Sequence, residues 1–226
     1  MNNNLTPYNA DVYEEGMSKT IPFYDEIYSQ TINLVRCVRP DVESWLDTGC
    51  GTGSLVARSF RVFKKTKYLI ADPSMDMLTK AREALKNIPA EQLQVIGNVG
   101  TEELPNIKSP QVITAILSHH YFNKTEREHA TKKCFNLLDE GGLYVSFENI
   151  YPLTEDGKDI GLYSWKQFQI SKGKSEKEAN EHIRRYGISF FPITLEEHLL
   201  ILRNSGFRVV ELFWFSHLQA GLYAIK

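Results

Sequence analysis

Short apolar runs alternate with amphipathic segments from about residue 44 to residue 149. The amphipathic segments repeat their apolar positions every three to four residues, which is the spacing of helices. Strands that are apolar on both faces and separated by helices indicate a parallel sheet covered on both sides. The pattern therefore predicts a doubly wound α/β fold. Its five central strands are expected in SWLD, KYLIAD, LQVIG, VITAILS and GLYVSFEN.

The two ends of the chain extend this fold. Residues 1–43 contain the helical pattern FYDEIYSQTINLVRCV and are predicted to form a helical lid, and residues 151–193 are predicted to form a helical insertion over the active site. The last helix is expected in TLEEHLLILRNSGF, where Thr194 and Glu197 have the spacing of a capping box. RVVELFWFS and QAGLYAIK then predict an antiparallel pair. The result is a seven-stranded, mostly parallel sheet with an antiparallel C-terminal strand and helices on both faces.

The composition fits a single domain over residues 1–226, because 42% hydrophobic residues suffice for one substantial core. The 26 Lys and Arg nearly balance the 28 Asp and Glu, so no global basic field would collect nucleic acid. No apolar run reaches about 18 residues, so we expect no membrane partner and a cytoplasmic location. The three cysteines lack metal-ligand spacing, so no metal is expected. The sequence leaves a homodimer open.

The segment WLDTGCGTGSL places three glycines directly after the first predicted strand. A dinucleotide-binding turn would need its third glycine at position 54, where this chain has Ser54. Asp47 stands at the mouth of the turn, where a carboxylate repels a pyrophosphate but attracts an ammonium group. The turn therefore favours a cofactor that carries an amino acid, and a nicotinamide oxidoreductase would lack its fingerprint.

These residues resemble the first motif of the class I S-adenosylmethionine-dependent methyltransferases, which have a Rossmann-like sheet. LIADPSMDMLTKARE is similar to that family's second strand and following helix, with Asp72 placed 19 residues after Gly53. QVIGNVGTEELP resembles its third strand, and VITAILSHHYF and LLDEGGLYVSFEN resemble its fourth and fifth. The chain departs from the family at Asn98, where Asp is common, and at Glu140, which replaces a proline. The resemblance is close over residues 44–150.

The resemblance implies S-adenosylmethionine as the cofactor and assigns residues to it by position. Asp47 would hold the methionyl amino group, and Asp72 would bind the ribose hydroxyls. Gly49 and Gly51 would let the backbone approach the cofactor, because glycine has no Cβ. The remaining assignments are packing of Met75 on the ribose or adenine, contacts of Asn98 and Val99 with the base, and a contact of Ser118 with the methionyl part.

The implied reaction is methyl transfer by in-line displacement, in which alignment supplies much of the acceleration. An acceptor that is already nucleophilic needs no base, whereas a hydroxyl or ammonium acceptor does. The candidate bases are His119, His120 and Glu148, each of which could instead have a structural role. No NPPY-type segment follows the fourth strand, so a nucleobase or amide nitrogen is disfavoured. A small polar or anionic molecule is the expected substrate.

The ends of the chain are similar in layout to the carboxy-S-adenosylmethionine synthases, where the lid and the insertion close over the site. A carboxylated cofactor is therefore the specific alternative, although GCGTG differs from the Gly-Cys-Ser of that family. A non-catalytic regulator that binds adenosyl nucleosides is a further alternative. The resemblance also implies aromatic walls and an anion-binding arginine, and the predicted pocket residues are Tyr13, Phe23, Tyr24, Tyr151, Trp165, Arg184 and Arg185.

Overall fold

The computed structural model describes residues 10–226, through which one mixed sheet runs. Seven strands follow the order β3-β2-β1-β4-β5-β8-β7, and the two-residue strand β6 pairs with the end of β5. The predicted doubly wound α/β fold is confirmed, but the sequence pattern does not predict β6, because two residues cannot form an apolar run. The strands are β1 Ser44–Thr48, β2 Lys67–Ala71, β3 Leu93–Gly97, β4 Val112–Ile116, β5 Leu143–Tyr151, β6 Ile193–Thr194, β7 Val209–Ser216 and β8 Gln219–Ile225.

The C-terminal strands β7 and β8 differ in direction and position. Strands β1 to β5 are parallel to one another, whereas β8 is antiparallel to both β5 and β7. The predicted antiparallel C-terminal strand is therefore confirmed. Because β8 lies between β5 and β7, β7 forms one edge of the sheet, and β3 forms the opposite edge.

Helices cover the sheet, and buried side chains on neighbouring strand positions point to opposite faces. Trp45 and Leu46 on β1 belong to two different hydrophobic clusters, as do Val145 and Tyr144 on β5. This alternation explains why the central strands are apolar at nearly every position. The helices are α1 Tyr13–Thr20, α2 Tyr24–Val38, α3 Ser54–Ser59, α4 Met75–Ala84, α5 Lys124–Leu137, α6 Glu155–Ser171, α7 Glu176–Ile183 and α8 Leu195–Ser205.

Polar caps fix where several helices begin. Thr194 and Glu197 form the predicted capping box at the start of α8, with the Thr194 hydroxyl accepting from the Glu197 backbone N–H. Asn123 and Glu126 form the same reciprocal pair at α5. The capping side chains thus accept from backbone N–H groups at the helix start that have no partner within the helix.

The order of strands reverses beside β1, which pairs with β2 on one side and with β4 on the other. In open parallel sheets, ligands bind beyond the carboxyl ends of the strands at such a reversal. The turn after β1 and the loop after β4 therefore meet at the expected ligand-binding edge.

The insertion and the N-terminal helix are joined to each other and to this edge. The Trp165 indole N–H on α6 donates to the Thr20 carbonyl at the end of α1, at 2.6 Å. The Phe191 backbone N–H donates to the His120 carbonyl after β4, at 2.7 Å. Residues 10–43 of the predicted lid and the whole insertion belong to the described part of the chain, whereas residues 1–9 of the lid lie outside it.

Candidate functional site

The turn between β1 and α3 can form only with its glycines. Gly49, Gly51 and Gly53 have φ angles of +66°, +54° and +82°, which side-chain-bearing residues rarely adopt. A Cβ on Gly49 would lie 2.4 Å from the Cβ of Ser118. The loop after β4 therefore packs directly on the glycine turn through Ser118, whose contact with the methionyl part of a cofactor stays a prediction.

Asp72 holds the glycine turn in place from the end of β2. Its Oδ2 accepts from the Gly51 backbone N–H and its Oδ1 from the Ser74 backbone N–H, both at 2.8 Å. A carboxylate has about four acceptor positions, so two remain for hydroxyl donors. Burial raises the pKa of Asp72, opposed by these two backbone hydrogen bonds. The Asn98 amide donates to the Asp72 carbonyl at 3.2 Å and so fixes the loop after β3 against it.

Asp47 is a nearly buried carboxylate at the end of β1. Its side chain accepts from the Thr114 hydroxyl at 2.7 Å, and the residue is only 2% exposed. Burial raises the pKa of Asp47 to about 7, and the charge of Asp72 adds to the effect. A cation beside this carboxyl group would stabilise its charged form, which burial disfavours.

A cavity of about 20 Å³ lies between Asp47 and the glycine turn. That volume holds one water molecule and no nucleoside. It is closed from above by α1, whose Tyr13 lines it, while the Glu14 carboxylate accepts from the hydroxyls of Thr52 and Ser54. In the described conformation a methionyl group could therefore enter this cavity only if Tyr13 or another lining residue moved. The lining residues are Tyr13, Tyr28, Asp47, Gly49, Cys50, Gly51, Thr52, Leu55 and Ile116.

The other predicted cofactor residues are more exposed to solvent than Asp47 and Asp72. Met75 begins α4 and is 49% exposed, so its side chain is accessible to a ligand. Asn98 is exposed, and half-buried Val99 packs against the second hydrophobic cluster. Their contacts with a ribose or a base stay predictions.

The three candidate bases lie away from the cavity beside Asp47, and none of them lines it. His119 is held between the Thr101 hydroxyl, at 3.1 Å, and the Tyr144 hydroxyl, at 3.3 Å. Burial and the charge of Arg127 lower the pKa of His119 to about 3, so it is neutral at physiological pH. His120 is also buried, with its ring against Tyr121. These contacts favour structural roles for both histidines in the described conformation.

Glu148 and Arg127 share a second, buried polar cavity on the other side of β5, of about 10 Å³. Arg127 donates to the carbonyls of His119 and Phe191, at 3.1 and 2.7 Å, and so ties the loop after β4 to the end of the insertion. Arg127 Nε and Nη1 and Glu148 Oε2 have no hydrogen-bond partner among the described residues. One water molecule fits the volume and would bridge such groups. The cavity is lined by His119, Arg127, Thr131, Tyr144, Ser146, Glu148, His198, Ile201 and Leu202.

The buried Glu148 carboxyl makes stability depend on pH. Burial raises the pKa of Glu148 to about 8 from its ordinary 4.5, although the charge of Arg127 opposes the shift. Between these values the folded protein holds the proton more tightly than the unfolded chain, so rising pH favours unfolding. We expect the free energy of unfolding of the wild type, relative to Glu148→Gln, to fall between pH 5 and pH 8 by up to about 1.4 kcal/mol per unit.

Urea denaturation of both proteins at pH 5, 6, 7 and 8 measures this difference. The glutamine variant is the matched control, because it keeps the shape of Glu148 but cannot ionise, and because both proteins share the same buried histidines. Parallel stability profiles for the two proteins would contradict the expectation.

The predicted pocket residues divide into three groups by their surroundings. Tyr13 and Tyr24 lie near the glycine turn, and the Tyr24 hydroxyl is 2.5 Å from the Tyr28 hydroxyl. Trp165 is fully buried, and its N–H joins α6 to α1. Tyr151 donates to Glu155, on the exposed start of the insertion.

The two candidate arginines differ in exposure. Arg184 is exposed, whereas Arg185 is half-buried. Burial raises the pKa of Tyr121 to about 12, the charge of Arg185 opposes this increase, and the charge of Asp72 adds to it. Of the two arginines, Arg185 is therefore the one whose charge acts on a residue in the loop after β4. Phe23, by contrast, is 55% exposed.

Several residues that shape the site are absent from the sequence predictions. Glu14 and Tyr28 lie on helices whose pattern carries no chemical signal, and Thr52 and Ser54 look like ordinary turn residues. Arg127 belongs to a strongly charged helix, where a single buried arginine cannot be distinguished from its neighbours. In each case the signal arises only when distant segments meet.

Residues 10–226 contain no group of three or more His, Cys, Asp or Glu side chains arranged to hold a metal ion. None of the helices over these residues combines the length and the apolar character needed to cross a membrane.

Comparisons with known proteins find the resemblance that the sequence motifs indicate. A family model described as "Methyltransferase domain" matches residues 46–142. The carboxy-S-adenosyl-L-methionine synthase of Staphylococcus epidermidis is 21% identical over 220 residues, which is 96% of this chain and 93% of that protein. The synthase of Campylobacter lari is 27% identical over 210 residues, 89% of this chain and 85% of that protein.

Among solved structures, a putative O-methyltransferase from Nostoc punctiforme superposes with a TM-score of 0.69 at 16% identity, covering 96% of this chain and 58% of that one. This chain thus spans a little over half of that protein's length. At this identity the superposition shows the fold alone. Together with the matched domain and the synthase relatives, it confirms the resemblance to class I S-adenosylmethionine-dependent methyltransferases.

Proposed function

We propose that this chain, with its class I methyltransferase fold and matched methyltransferase domain, transfers a methyl group from S-adenosylmethionine to a small polar or anionic molecule. The observation that carries the proposal is the meeting of Asp47, Asp72 and the positive-φ glycine turn where the strand order reverses. No pyrophosphate would suit two buried carboxylates, whereas a nucleoside with an ammonium group and free hydroxyls would.

The residues present fit that cofactor. Asp47 would hold the methionyl ammonium group, and Asp72 would accept from the ribose hydroxyls with its two remaining acceptor positions. Gly51 suits this turn because of its φ angle of +54°, and a Cβ added there would lie 3.8 Å from Cε1 of the Tyr13 ring, on the side from which a ligand would approach. When bound, S-adenosylmethionine supplies an electrophilic methyl group.

The protein's part in the reaction is orientation and exclusion of water. Tyr13 and Tyr28 line the cavity beside Asp47, so their phenol rings would border the methionyl end and exclude water there once the cavity has opened to admit the donor. Exclusion of water increases the reactivity of a nucleophile that is already ionised, because less water screens its charge. None of the three candidate bases lines this cavity, which supports an acceptor that needs no proton removed by the enzyme.

Arg185 supports the polar or anionic class of acceptor. It lies toward the same edge as Tyr121 and Asp72, and a guanidinium recognises carboxylate or phosphate groups with paired hydrogen bonds. This arginine also keeps the second candidate open. The curated relatives are carboxy-S-adenosyl-L-methionine synthases, and a synthase-like activity would place a carboxylated nucleoside beside this arginine.

Two measurements test the proposed function. Isothermal titration should show binding of S-adenosylmethionine and of S-adenosylhomocysteine, and a panel of small carboxylates, thiols and phosphates should include an acceptor that drives release of S-adenosylhomocysteine. Mass spectrometry of the nucleoside that copurifies with the protein distinguishes the carboxylated alternative. Absence of binding by either nucleoside would exclude both candidates.

The affinity for S-adenosylhomocysteine should increase with pH. Burial raises the pKa of Asp47 to about 7, so at lower pH the carboxyl is neutral and attracts no cation. An ammonium group of this kind stays largely protonated below about pH 7.5. We therefore expect the association constant to rise about tenfold from pH 5.5 to pH 7.

Titration calorimetry at several pH values gives this profile. The Asp47→Asn variant is the control, because its amide cannot ionise, and it should bind more weakly with little dependence on pH. A rising profile in that variant would attribute the effect to another group.

A further inference from the structure

The side chain of Glu14 lies where two hydroxyl groups converge. Its Oε1 accepts from the Thr52 hydroxyl and from the Ser54 hydroxyl, each at 2.6 Å. The two hydroxyls are 3.3 Å apart, so they form a pair of donors directed at a single carboxylate oxygen. Glu14 belongs to α1, whereas its two partners flank the last glycine of the turn, 38 and 40 residues later.

This donor pair belongs to the cavity beside Asp47. Thr52 lines that cavity together with Asp47 and Tyr13. One side of the cavity therefore carries a buried carboxylate, which suits a cation, and the other carries hydroxyl donors that already hold a carboxylate. An α-amino acid end, with one ammonium and one carboxylate group, presents both complementary charges.

The closed cavity has no room for that amino acid end while α1 stays in place. Its volume of about 20 Å³ accommodates one water molecule. Tyr13 and Glu14 are neighbours on α1, so the residue that narrows the cavity and the residue that occupies the donor pair belong to one element. Displacement of Glu14 therefore removes a contact that holds α1, and Tyr13 with it, beside the cavity.

We propose that Thr52 and Ser54 form the carboxylate subsite for the methionyl end of the methyl donor, and that Glu14 occupies this subsite as an internal carboxylate until the donor displaces it. This inference rests on the proposed function. It adds two cofactor-binding residues and a competing side chain, since one carboxylate leaves the hydroxyl pair as another enters.

The other end of α1 stays attached to the insertion during this exchange. The Trp165 N–H donates to the Thr20 carbonyl, and the Lys174 ammonium donates to the Thr20 hydroxyl, both at 2.6 Å. Release of Glu14 therefore removes one polar contact of the first turn of α1, which carries Tyr13. Asp11, just before that turn, still pairs with Lys80 of α4, and the last turn stays attached to the insertion.

Titration calorimetry with two nucleosides tests the proposal. S-adenosylhomocysteine carries the amino acid end, whereas 5′-methylthioadenosine lacks it. In Glu14→Ala the internal competitor is gone, so the affinity for S-adenosylhomocysteine should increase about tenfold relative to that for 5′-methylthioadenosine. In the double variant Thr52→Val, Ser54→Ala, the same ratio should fall about tenfold.

Glu15→Ala is the matched control, because Glu15 is the exposed neighbour on the same helix and pairs only with Lys19 among the described contacts. Its ratio should equal that of the wild type. If the double variant does not fold, Glu14→Ala alone decides the question.

An unchanged or reduced ratio in Glu14→Ala would overturn the proposal, and a reduced ratio would assign Glu14 to the ammonium group instead. If the wild type binds neither nucleoside, the proposed function itself fails. If the wild type binds both and only the ratios disagree, the proposed function stands and the carboxylate subsite alone is lost.

Discussion

Replacing Asp72 by alanine is expected to lower the affinity for S-adenosylhomocysteine by at least about 100-fold, because hydrogen bonds to a charged group contribute about 1.5–3 kcal/mol each. The variant loses the acceptors for the ribose hydroxyls. It also leaves the backbone N–H groups of Gly51 and Ser74 without their carboxylate, so the turn that receives the cofactor is no longer fixed. Titration calorimetry on the wild type and the variant measures the loss.

Asp72→Asn separates the two contributions. Asparagine keeps the shape and one acceptor oxygen but not the charge, so it can hold one of the two backbone donors. We expect an affinity between those of the wild type and Asp72→Ala. Thermal unfolding of each variant shows whether the fold is intact, and an unchanged affinity in Asp72→Ala would remove Asp72 from the cofactor site.

Replacing Gly49 by alanine should be the most damaging single change in the turn. The added Cβ would lie 2.4 Å from the Ser118 Cβ, and the φ angle of +66° costs a side-chain-bearing residue about 1–2 kcal/mol even without a clash. We expect a destabilisation of about 3 kcal/mol or more, together with loss of nucleoside binding, since the loop after β4 must withdraw. Urea denaturation and titration calorimetry report the two effects.

The chain offers a matched control at Gly173, which also has a positive φ, +91°, but no atom within 4 Å of an added Cβ. Gly173→Ala should therefore show the backbone cost alone. The double variant Gly49→Ala, Ser118→Gly removes the colliding Cβ and should recover part of the lost stability. Equal destabilisation by Gly49→Ala and Gly173→Ala would show that the contact with Ser118 is unimportant.

Arg127 and the polar groups buried around it stabilise the arrangement of two loops near the site. Arg127 connects the loop after β4 with Phe191, the point where the insertion returns to the sheet. A buried charge without its partners is costly, so the cluster holds these two loops in one arrangement. His119 and Glu148 line the same buried cavity as Arg127, and His120 Nδ1 lies 3.9 Å from Glu148 Oε2. Their roles as bases stay predictions.

Much of the cofactor side of the site was predictable because its signals are local. Asp47 and the three glycines occupy alternate positions from 47 to 53, and Asp72 directly follows the next strand, so parallel pairing of β1 and β2 brings them together. The choice between Arg184 and Arg185 was not predictable. Neighbouring residues at the end of a helix point in different directions, and only packing of the insertion determines which one is half-buried.

The doubly wound sheet, the glycine turn and the two carboxylates beside it are predictable from the sequence, because apolar periodicity and backbone-restricted turns depend on neighbouring residues. Two features are visible only in the folded protein: His119 and Glu148 line a separate buried cavity, and Glu14 contacts Ser54, which is 40 residues away in the chain. Such contacts join segments that are distant in sequence, and their geometry follows from how the helices pack on the sheet, which no local pattern specifies.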